Sequence, residues 1–425
     1  MQNLDLSKVK KIFFIGIGGI GISALAKMAI SRGVEVLGVN DEESAKTLAP
    51  LKEAGAIIYY QNEMKELPDA DMYVFSDAWI YRGPELIVAA RKRSVPVLSY
   101  FEALGEFAKE YKVIAIAGTH GKTTTTAMVA EILIDAGLDP TVVVGSFVKK
   151  FGSNFRKGNP STNSGQVVSY LVVEADEYNR HFINFHPFVS VVTNIEADHL
   201  DYYKDLADVE AAFKQFNSQS KNAITDYSKY LDKVPPLSVP GEHNRKNAAA
   251  ALAVADALGV SVEVAGKSLT QFTGTWRRLE LRGVTAAGTI IYDDYAHHPT
   301  EVRASLEALR ELYPKETGKQ ITVVFQPHLY SRTKALFDEF TKCWADADRV
   351  FLLPIYFARE AIDPTVSSEK LEEEIAKTGQ KVEAFPDFGI AEATIKTLNL
   401  GPNDVLVTMG AGEAYKVADA VFSFK

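Results

Sequence analysis

The sequence predicts an α/β protein built from three domains. Short apolar strands alternate with helix-forming segments along the chain, and this alternation restarts near Tyr111 and near Thr275. At 425 residues the chain is too long for one hydrophobic core, so two or three domains are expected. Two glycine-rich loops, each between a strand and a helix, indicate domains that bind phosphate groups. We therefore place the domains at residues 1–110, 111–276 and 277–425.

The first domain begins with a βαβ unit that carries a complete G-x-G-x-x-G motif. Strand 11–16 enters Gly16-Ile-Gly-Gly-Ile-Gly21, and a helix at Ile22–Ser31 and a strand at Val34–Val39 follow. This order is typical of a Rossmann-like domain, in which the loop and the helix N-terminus hold a diphosphate. A nucleotide-linked sugar would use such a loop, and a dinucleotide would add Asn40-Asp41 as its ribose acceptor. A turn that packs without a ligand is the structural alternative.

The second domain opens with a shortened phosphate-binding loop. An apolar strand enters Gly118-Thr-His-Gly-Lys-Thr123, and a helix-forming segment covers Ala127–Ala136. Backbone N–H groups and a helix N-terminus attract an anion, and Lys122 places a point charge at the β- and γ-phosphates. Thr123 supplies the kind of hydroxyl that ligates Mg²⁺, although the usual motif has a further glycine where this chain has Ile116. The loop predicts a nucleoside triphosphate site in a central P-loop-type α/β ATPase domain.

Two later strands of the second domain end in acidic residues. Strand Tyr170–Glu177 ends in three carboxylates, and strand Val189–Asn194 is followed by Ile-Glu-Ala-Asp-His199. Open α/β sheets place ligands at the carboxyl ends of their strands, so Glu174 is a candidate Mg²⁺ ligand beside the triphosphate. His199 suits a second metal ion such as Mn²⁺, or acid–base catalysis. Salt bridges at the strand ends are the structural alternative for both residues.

The third domain, again Rossmann-like in its strand–helix order, contributes two loops that contain histidines. Strand Thr289–Asp294 is followed by Tyr-Ala-His-His-Pro, and strand Ile321–Phe325 by Gln-Pro-His-Leu-Tyr-Ser-Arg. Asp294 suits a ribose hydroxyl, His297 a carboxylate or an acyl phosphate, and Arg332 a carboxylate held by two hydrogen bonds. Turn capping is the structural alternative here. The other predicted elements are strands 72–76, 95–98, 141–144, 349–353 and 404–408, helices 84–92, 248–258, 300–312 and 333–345, and an amphipathic segment 100–111.

The composition argues against several classes of partner and site. A net charge of −9 disfavours a nucleic acid or an anionic membrane surface as the main partner. Cys343 is the only cysteine, so the chain forms neither an intramolecular disulfide nor a cysteine-based zinc site. The N-terminus lacks a signal-peptide pattern, and no apolar run reaches membrane-spanning length. We expect a cytoplasmic protein, monomeric or homodimeric, that acts on small molecules.

Taken together, these motifs resemble the Mur ligases, ATP-dependent enzymes that form amide bonds during peptidoglycan precursor synthesis. The resemblance covers nearly the whole chain, and its motifs are jointly specific. The matching segments are 16–21, 117–126, 174–177, 193–199, 241–247, 277–278, 293–301, 325–333 and 408–412.

The resemblance implies a role for each domain. The first would bind a UDP-sugar, through Gly16, Gly18, Gly19, Gly21 and Ser76. The second would bind ATP, through Gly118, Thr119, His120, Gly121, Lys122, Thr123 and Thr124, with further nucleotide contacts from Asn244, Asn247, Arg278 and Asp294. Thr123 and Glu174 would hold the first Mg²⁺ and His199 the second metal ion. The third domain would bind the incoming amino acid, through His297, His328 and Arg332.

The resemblance also implies a reaction. UDP-N-acetylmuramate and L-alanine would be the substrates, joined through an acyl phosphate made at the expense of ATP. The alternative is a recycling ligase that joins the same UDP-sugar to a preformed tripeptide. The loop at 325–333 favours alanine, whereas segment 278–283 favours the tripeptide enzyme. A binding protein switched by ATP hydrolysis is less well supported because of Arg332, and a dehydrogenase would rest on the first loop alone.

Three features depart from the family's pattern. Only 41 residues, 200–240, separate His199 from Gly241, which predicts a shortened central domain. The turn Ser76-Asp-Ala-Trp79 differs from the family's common Ser-Ser-Ala-Ile, and Ser99-Tyr100 stands where an arginine is common. The last two departures lie on the side that would bind the UDP-sugar.

Overall fold

The computed structural model describes residues 4–41, 45–62, 64, 66–163, 166–200, 202–358 and 360–422. The chain folds into two compact units. The first unit comprises residues 1–198, 202–236 and 246–272, and the second comprises 199–201, 237–245 and 273–425. The first unit contains two large sheets and the second contains one. The α/β class predicted from the sequence is therefore confirmed, with one large sheet for each of the three predicted domains, whereas the boundaries at residues 110 and 276 stay a prediction.

The first sheet is parallel, with the strand order β3-β2-β1-β4-β5. Its order reverses between β1 and β4, so the loops that follow these two strands flank a crevice at the carboxyl edge of the sheet. Those loops are Gly16–Gly21 and the turn that begins at Ser76. The elements are β1 (Lys11–Ile15), α1 (Ile20–Ser31), β2 (Glu35–Asn40), α2 (Leu48–Glu53), β3 (Ile57–Tyr60), β4 (Met72–Phe75), α3 (Trp79–Arg82), α4 (Pro84–Arg91), β5 (Val97–Ser99) and α5 (Tyr100–Ala108).

The second sheet has the order β13-β12-β6-β11-β7-β8, and only β8 pairs antiparallel within it; β9 and β10 form a separate antiparallel pair. Strand β6 lies between β11 and β12, so the phosphate loop, Glu174 at the end of β11 and Thr193 after β12 lie at the ends of neighbouring parallel strands. The elements are β6 (Lys112–Ala117), α6 (Lys122–Asp135), β7 (Thr141–Val148), β8 (Ser153–Arg156), β9 (Ser161–Asn163), β10 (Gln166–Val168), β11 (Tyr170–Glu174), β12 (Val189–Val192), α7 (Leu206–Ser218), β13 (Ala223–Ile224), α8 (Glu242–Ala257) and α9 (Val262–Gln271).

The sheet of the second unit has the order β14-β15-β19-β16-β17-β18, with β14 antiparallel to β15. The loops that follow β15 and β16 carry the histidines singled out above. The elements are β14 (Glu280–Val284), β15 (Ile290–Asp294), α10 (Pro299–Leu312), β16 (Gln320–Phe325), α11 (Tyr330–Ala335), α12 (Phe337–Phe340), β17 (Arg349–Leu352), α13 (Ser368–Ala376), β18 (Val382–Ala384), α14 (Phe388–Thr397), β19 (Asp404–Met409) and α15 (Tyr415–Val421).

The helix predicted at 333–345 is wrong. The structure has two short helices instead, α11 and α12, which meet at Leu336 (φ −110°, ψ 24°). Two other helices begin earlier than predicted. Helix α6 includes the threonines that follow Lys122, and α8 begins at Glu242. In the segment expected to be shortened, the structure places α7 and a two-residue strand, β13.

One apolar core underlies both sheets of the first unit. It includes Phe14 and Leu25 from the first sheet and its helix, and Leu171, Val173 and Phe213 from the second sheet and α7. Burial of such side chains, about 25 cal/mol per Å² of apolar surface, holds the two sheets together. The second unit has its own cores. Among the described residues, every helix is too short or too polar to cross a membrane.

Candidate active site

The phosphate loop of the second sheet requires glycine at two positions. Strand β6 leads through Gly118 (φ 137°) and Gly121 (φ 81°) into α6. Glycine adopts such positive φ angles without the strain that a side chain would bring. A Cβ atom at Gly118 would also overlap the Thr193 hydroxyl, and one at Gly121 would overlap the side chain of Asn247. The glycine spacing seen in the sequence thus corresponds to a backbone requirement of this loop.

Residues that follow β12 fix the conformation of the phosphate loop through hydrogen bonds. The N–H group of Thr119 donates to the backbone oxygen of Asn194 at 3.0 Å, and the N–H group of His120 donates to the Asn194 side chain at 2.9 Å. The Thr193 hydroxyl donates to the carbonyl of His120 at 2.5 Å. These loop N–H groups therefore fix the loop itself. The first turn of α6, which begins at Lys122, supplies N–H groups without a partner within the helix for an anion.

The Lys122 ammonium lies inside the loop and pairs with Glu177. Its Nζ is 2.8 Å and 3.0 Å from the two carboxylate oxygens of Glu177, and it donates to the carbonyls of Gly118 and Thr119. Burial disfavours the charged amine, but the nearby carboxylates, Glu177 foremost, outweigh it and raise the pKa of Lys122. The side chain of Glu177 is only 2% exposed. The sequence marked Glu177 merely as part of an acidic strand end, because its partner depends on the packing of the loop.

Glu174 and Thr123 meet at the mouth of the same loop. The Thr123 hydroxyl donates to Oε2 of Glu174 at 3.1 Å, and the backbone N–H of Gly145 donates to Oε1 at 2.7 Å. A hydroxyl and a carboxylate in contact, beside a phosphate loop, are the hard oxygen ligands that Mg²⁺ takes. The residues present therefore fit the predicted ion.

The glycine-rich loop of the first sheet is also shaped by its neighbours. A Cβ atom at Gly16 (φ 81°) would overlap the indole of Trp79, and the N–H of Gly18 donates to the Asn40 side chain at 3.1 Å. Asp41 forms an ion pair with Arg82 at 2.9 Å. Both acceptors that a dinucleotide would need are thus engaged within the protein, which weighs against the dehydrogenase alternative.

A cavity of about 350 Å³ joins the two glycine-rich loops. Gly19 and Gly21 line it from the first sheet, and Lys122 and Glu174 line it from the second. Ser76, which follows β4, contributes to the same wall. All of these residues belong to the first unit. The predicted UDP-sugar loop and the predicted triphosphate loop therefore open into one space.

The wall of this cavity contains side chains that the sequence did not assign. Tyr100 and Phe101 line it from α5, together with Asp77 and Asp176. His181 is buried behind them, with Nε2 at 2.9 Å from Asp77 and Nδ1 at 3.5 Å from Asp176. The sequence drew attention to the turn at Asp77 and to Tyr100 as departures from the family's pattern. It offered no signal for His181, since its partners come from two different sheets.

The three predicted residues of the amino-acid site lie together in the second unit. The ring centroids of His297 and His328 are 5.8 Å apart, and the Arg332 guanidinium donates to Nδ1 of His328 at 3.2 Å. Tyr356, which the sequence did not single out, stacks on His328 with ring centroids 5.6 Å apart. Leu329, between His328 and Arg332 in the chain, has a φ of 69°, a strained conformation for leucine. The cluster combines a guanidinium, imidazoles and aromatic rings, which suits a small zwitterion.

The neighbouring acidic pair points into the protein. Asp294 is 5% exposed; it accepts from the Ser305 hydroxyl at 2.6 Å and from the N–H of Ala296 at 3.0 Å. Burial raises its pKa to about 6. Asp293 forms a buried ion pair with Arg277 at 2.8 Å. A ribose contact would have to share an oxygen of Asp294 that already accepts from Ala296 or Ser305, so that role stays a prediction.

The remaining predicted nucleotide and metal residues are divided between the units. Asn247 belongs to the first unit, where its side chain lies against Gly121 of the phosphate loop. Asn244 belongs to the second and donates to the carbonyl of Pro240 at 2.7 Å. His199 (φ 57°) also belongs to the second unit, as does Arg278, whose guanidinium lies over the ring of Tyr295. The roles of these residues toward ATP and metal stay predictions.

Models of three domains of one protein family match successive parts of the chain. The model for the catalytic domain of the Mur ligase family matches residues 11–112, the Mur ligase middle domain matches 116–233, and the Mur ligase glutamate ligase domain matches 277–412. The chain belongs to the Mur ligase family.

Individual relatives show which members of the family this chain is similar to. The UDP-N-acetylmuramate–L-alanine ligase of Acetivibrio thermocellus is 38% identical over 98% of this chain and 96% of its own. The corresponding ligase of Clostridium kluyveri is 36% identical over 98% of this chain and 99% of its own. Among solved structures, the UDP-N-acetylmuramate–alanine ligase of Thermotoga maritima is 26% identical, with a TM-score of 0.79 over 97% of this chain and 98% of its own. A murein peptide ligase of Psychrobacter arcticus is 22% identical and shares the fold, with a TM-score of 0.69 over 97% of this chain and 98% of its own.

Proposed function

We propose that this protein uses ATP to join L-alanine to the carboxylate of UDP-N-acetylmuramate in peptidoglycan precursor synthesis. The observation that carries the proposal is the cavity shared by the loop at Gly16–Gly21 and the loop at Gly118–Thr123. A ligase of this type must bring a carboxylate carried by a nucleotide-linked sugar to the γ-phosphate of ATP. The two glycine-rich loops of the first unit offer one anion-binding position for each. The named functions of the relatives support the same assignment.

The ATP side of the reaction falls to the phosphate loop. The first turn of α6 and Lys122 would bind the β- and γ-phosphates, with Glu177 holding the ammonium in the loop. Thr123 and Glu174 would hold Mg²⁺. When bound there, Mg²⁺ offsets phosphate charge. Gly145 keeps Glu174 oriented through its N–H group, which leaves the carboxylate fixed before any ligand arrives.

The acceptor side falls to the second unit. Arg332 would bind the carboxylate of L-alanine, and His297 and His328 would surround its amino end. A muramoyl carboxylate oxygen would attack the γ-phosphorus of ATP, and ADP would leave. The alanine nitrogen would then attack the acyl carbon, lose a proton and release inorganic phosphate. Positioning supplies much of the acceleration in such transfers.

The tripeptide acceptor considered from the sequence is not favoured. The named functions of the curated relatives at 35–38% identity specify L-alanine. The murein peptide ligase structure, at 22% identity, supports the fold alone. Because the reaction would consume ATP and a nucleotide-activated sugar, we place it in the cytoplasm. We expect the protein to act as a monomer or a homodimer.

An assay of phosphate release tests the proposal. Purified protein with ATP and Mg²⁺ should release phosphate only when UDP-N-acetylmuramate and L-alanine are both present, and mass spectrometry should detect the amide product. Mn²⁺ in place of Mg²⁺ would test the alternative ion. Phosphate release that needs neither substrate would refute the ligase assignment. Release supported by the L-Ala-γ-D-Glu-meso-diaminopimelate tripeptide but not by L-alanine would establish the alternative acceptor.

A further inference from the structure

Most of the charged residues that line the cavity between the two glycine-rich loops are acidic. Asp77, Glu174 and Asp176 line it, and Lys122 is its one cationic lining residue in the described part of the chain. Lys122 is already paired with Glu177. A donor that brings its own carboxylate into this cavity would meet repulsion, because like charges in a partly buried space are screened weakly.

His181 lies where it can offset two of these carboxylates. Its ring nitrogens face Asp77, on the loop after β4, at 2.9 Å, and Asp176, just after β11, at 3.5 Å. Phe101 of α5 stacks on the ring at 4.0 Å, Tyr178 meets it edge-on at 6.0 Å, and the side-chain nitrogen of Asn179 lies 3.4 Å from Nε2. The side chain is 8% exposed, so its charge acts with little screening by water. The carboxylate pair raises the pKa of His181 to about 9 against the opposing effect of burial, which keeps the ring charged at neutral pH.

The backbone that carries His181 is unusually constrained. Asn179 and Arg180, which precede it, both have positive φ angles, 50° and 56°. Such angles are costly for residues other than glycine, and they persist where the surrounding contacts impose them. Arg180 is held by Asp208 at 2.6 Å, and the Tyr203 hydroxyl bonds to the carbonyl of Glu177 at 2.5 Å. The segment is thus anchored on both sides so that the imidazole reaches the two carboxylates.

We propose that His181 is a positioning residue of the donor site, whose positive charge holds Asp77 and Asp176 and lets the carboxylate of an anionic donor enter the cavity. The proposal rests on the function proposed above. It assigns His181 no contact with the reacting atoms. It also accounts for the position of Phe101, because an aromatic ring stacked on an imidazolium fixes the plane of the imidazolium and favours its positive charge.

Direct binding measurements with two sugar nucleotides test this role. UDP-N-acetylmuramate carries the carboxylate, and UDP-N-acetylglucosamine lacks it while sharing the nucleotide and most of the sugar. In titration calorimetry, His181→Gln should raise the Kd of UDP-N-acetylmuramate about tenfold. It should leave the Kd of UDP-N-acetylglucosamine within about twofold of wild type, which also shows that the variant is folded.

Two further variants complete the test. His186→Gln changes an exposed histidine that contacts Gln219, and it should leave both affinities unchanged. Asp77→Asn combined with His181→Gln removes one of the carboxylates that His181 offsets, so it should recover most of the lost affinity for UDP-N-acetylmuramate. In steady-state assays, the KM for the donor should rise in His181→Gln while the KM for L-alanine stays constant.

The outcomes separate the two proposals. If His181→Gln weakens both nucleotides equally, or neither, the charge-offset role is overturned while the ligase assignment stands. If the double variant binds UDP-N-acetylmuramate no better than His181→Gln, the role is overturned as well. If wild-type protein binds neither sugar nucleotide, the proposed function fails, and the role of His181 fails with it.

Discussion

Lys122→Ala should lower both the stability of the protein and its turnover. Lys122 and Glu177 form an ion pair with N···O distances of 2.8 Å and 3.0 Å, and the Glu177 side chain is 2% exposed. Removing one member of a buried pair leaves the other charge without compensation, at a cost of about 3–5 kcal/mol. The Lys122 side chain is 17% exposed, so water reaches part of the gap. We therefore expect a loss of about 3 kcal/mol, near the lower end of that range.

A second substitution should separate the structural from the chemical contribution of Lys122. In Lys122→Ala with Glu177→Gln, no charge is left buried, and the glutamine amide can donate to the loop carbonyls that Lys122 satisfied. Stability should then recover by about 2 kcal/mol. Turnover should not recover, because the charge that faces the triphosphate is still missing. A loss of at least about 100-fold in kcat/KM is expected for both variants.

The measurements are urea-induced unfolding, followed by circular dichroism, and phosphate release. A chain with several domains need not unfold in one step, so the transition midpoints of the variants are compared with wild type under identical conditions. Affinity for UDP-N-acetylglucosamine, which should stay close to wild type, shows that the first unit is folded. If Lys122→Ala unfolds at the wild-type urea concentration, and the double variant is no more stable, Lys122 does not form a buried ion pair and the reasoning is refuted.

Three other predictions follow from the described contacts. His181 has a folded pKa of about 9 against 6.5 ordinarily, so its stabilisation is complete below pH 6.5 and lost as pH rises toward 9. The difference in unfolding free energy between wild type and His181→Gln should thus shrink by about 3 kcal/mol over that interval, and a pH-independent difference would contradict it. Gly121→Ala should weaken ATP binding at least about tenfold, because a Cβ there is strained and overlaps Asn247; unchanged nucleotide affinity by calorimetry would count against it. Arg332→Lys should raise the KM for L-alanine about tenfold without changing the KM for ATP, and equal changes in both would remove Arg332 from the acceptor site.

The parts of the site that could be predicted from the sequence are those specified by local chain geometry. Gly118 and Gly121 mark positions of positive φ, and their spacing from Lys122 follows from the turn that leads into a helix. Glu174 was found because a strand of apolar residues ends there, and parallel strands end at one edge of a sheet. His328 and Arg332 lie close together because both belong to the short segment after β16, His328 in the loop and Arg332 in α11.

What could not be predicted depends on packing between segments distant in the chain. The partner of Lys122 could have been any of the carboxylates near the end of β11, and the path of the chain beyond Glu174 selects Glu177. The break between α11 and α12 has no clear sign in the apolar pattern, which continues through Leu336. His181 was overlooked because its importance comes from Asp77 on the first sheet and Asp176 on the second.

The two departures on the donor side of the cavity and the position of His181 form one electrostatic set. The resemblance described above implies a serine at the position of Asp77 and an arginine at Ser99-Tyr100. Asp77 and Tyr100 line the cavity, so relative to that pattern it would gain a carboxylate and lack a guanidinium. Either change alone makes the space less favourable for an anionic donor. His181 contacts the Asp77 carboxylate directly and supplies a positive charge from the segment that follows β11. Since the donor's carboxylate is the group that must react, a chain with this wall needs that compensating charge to keep the same chemistry.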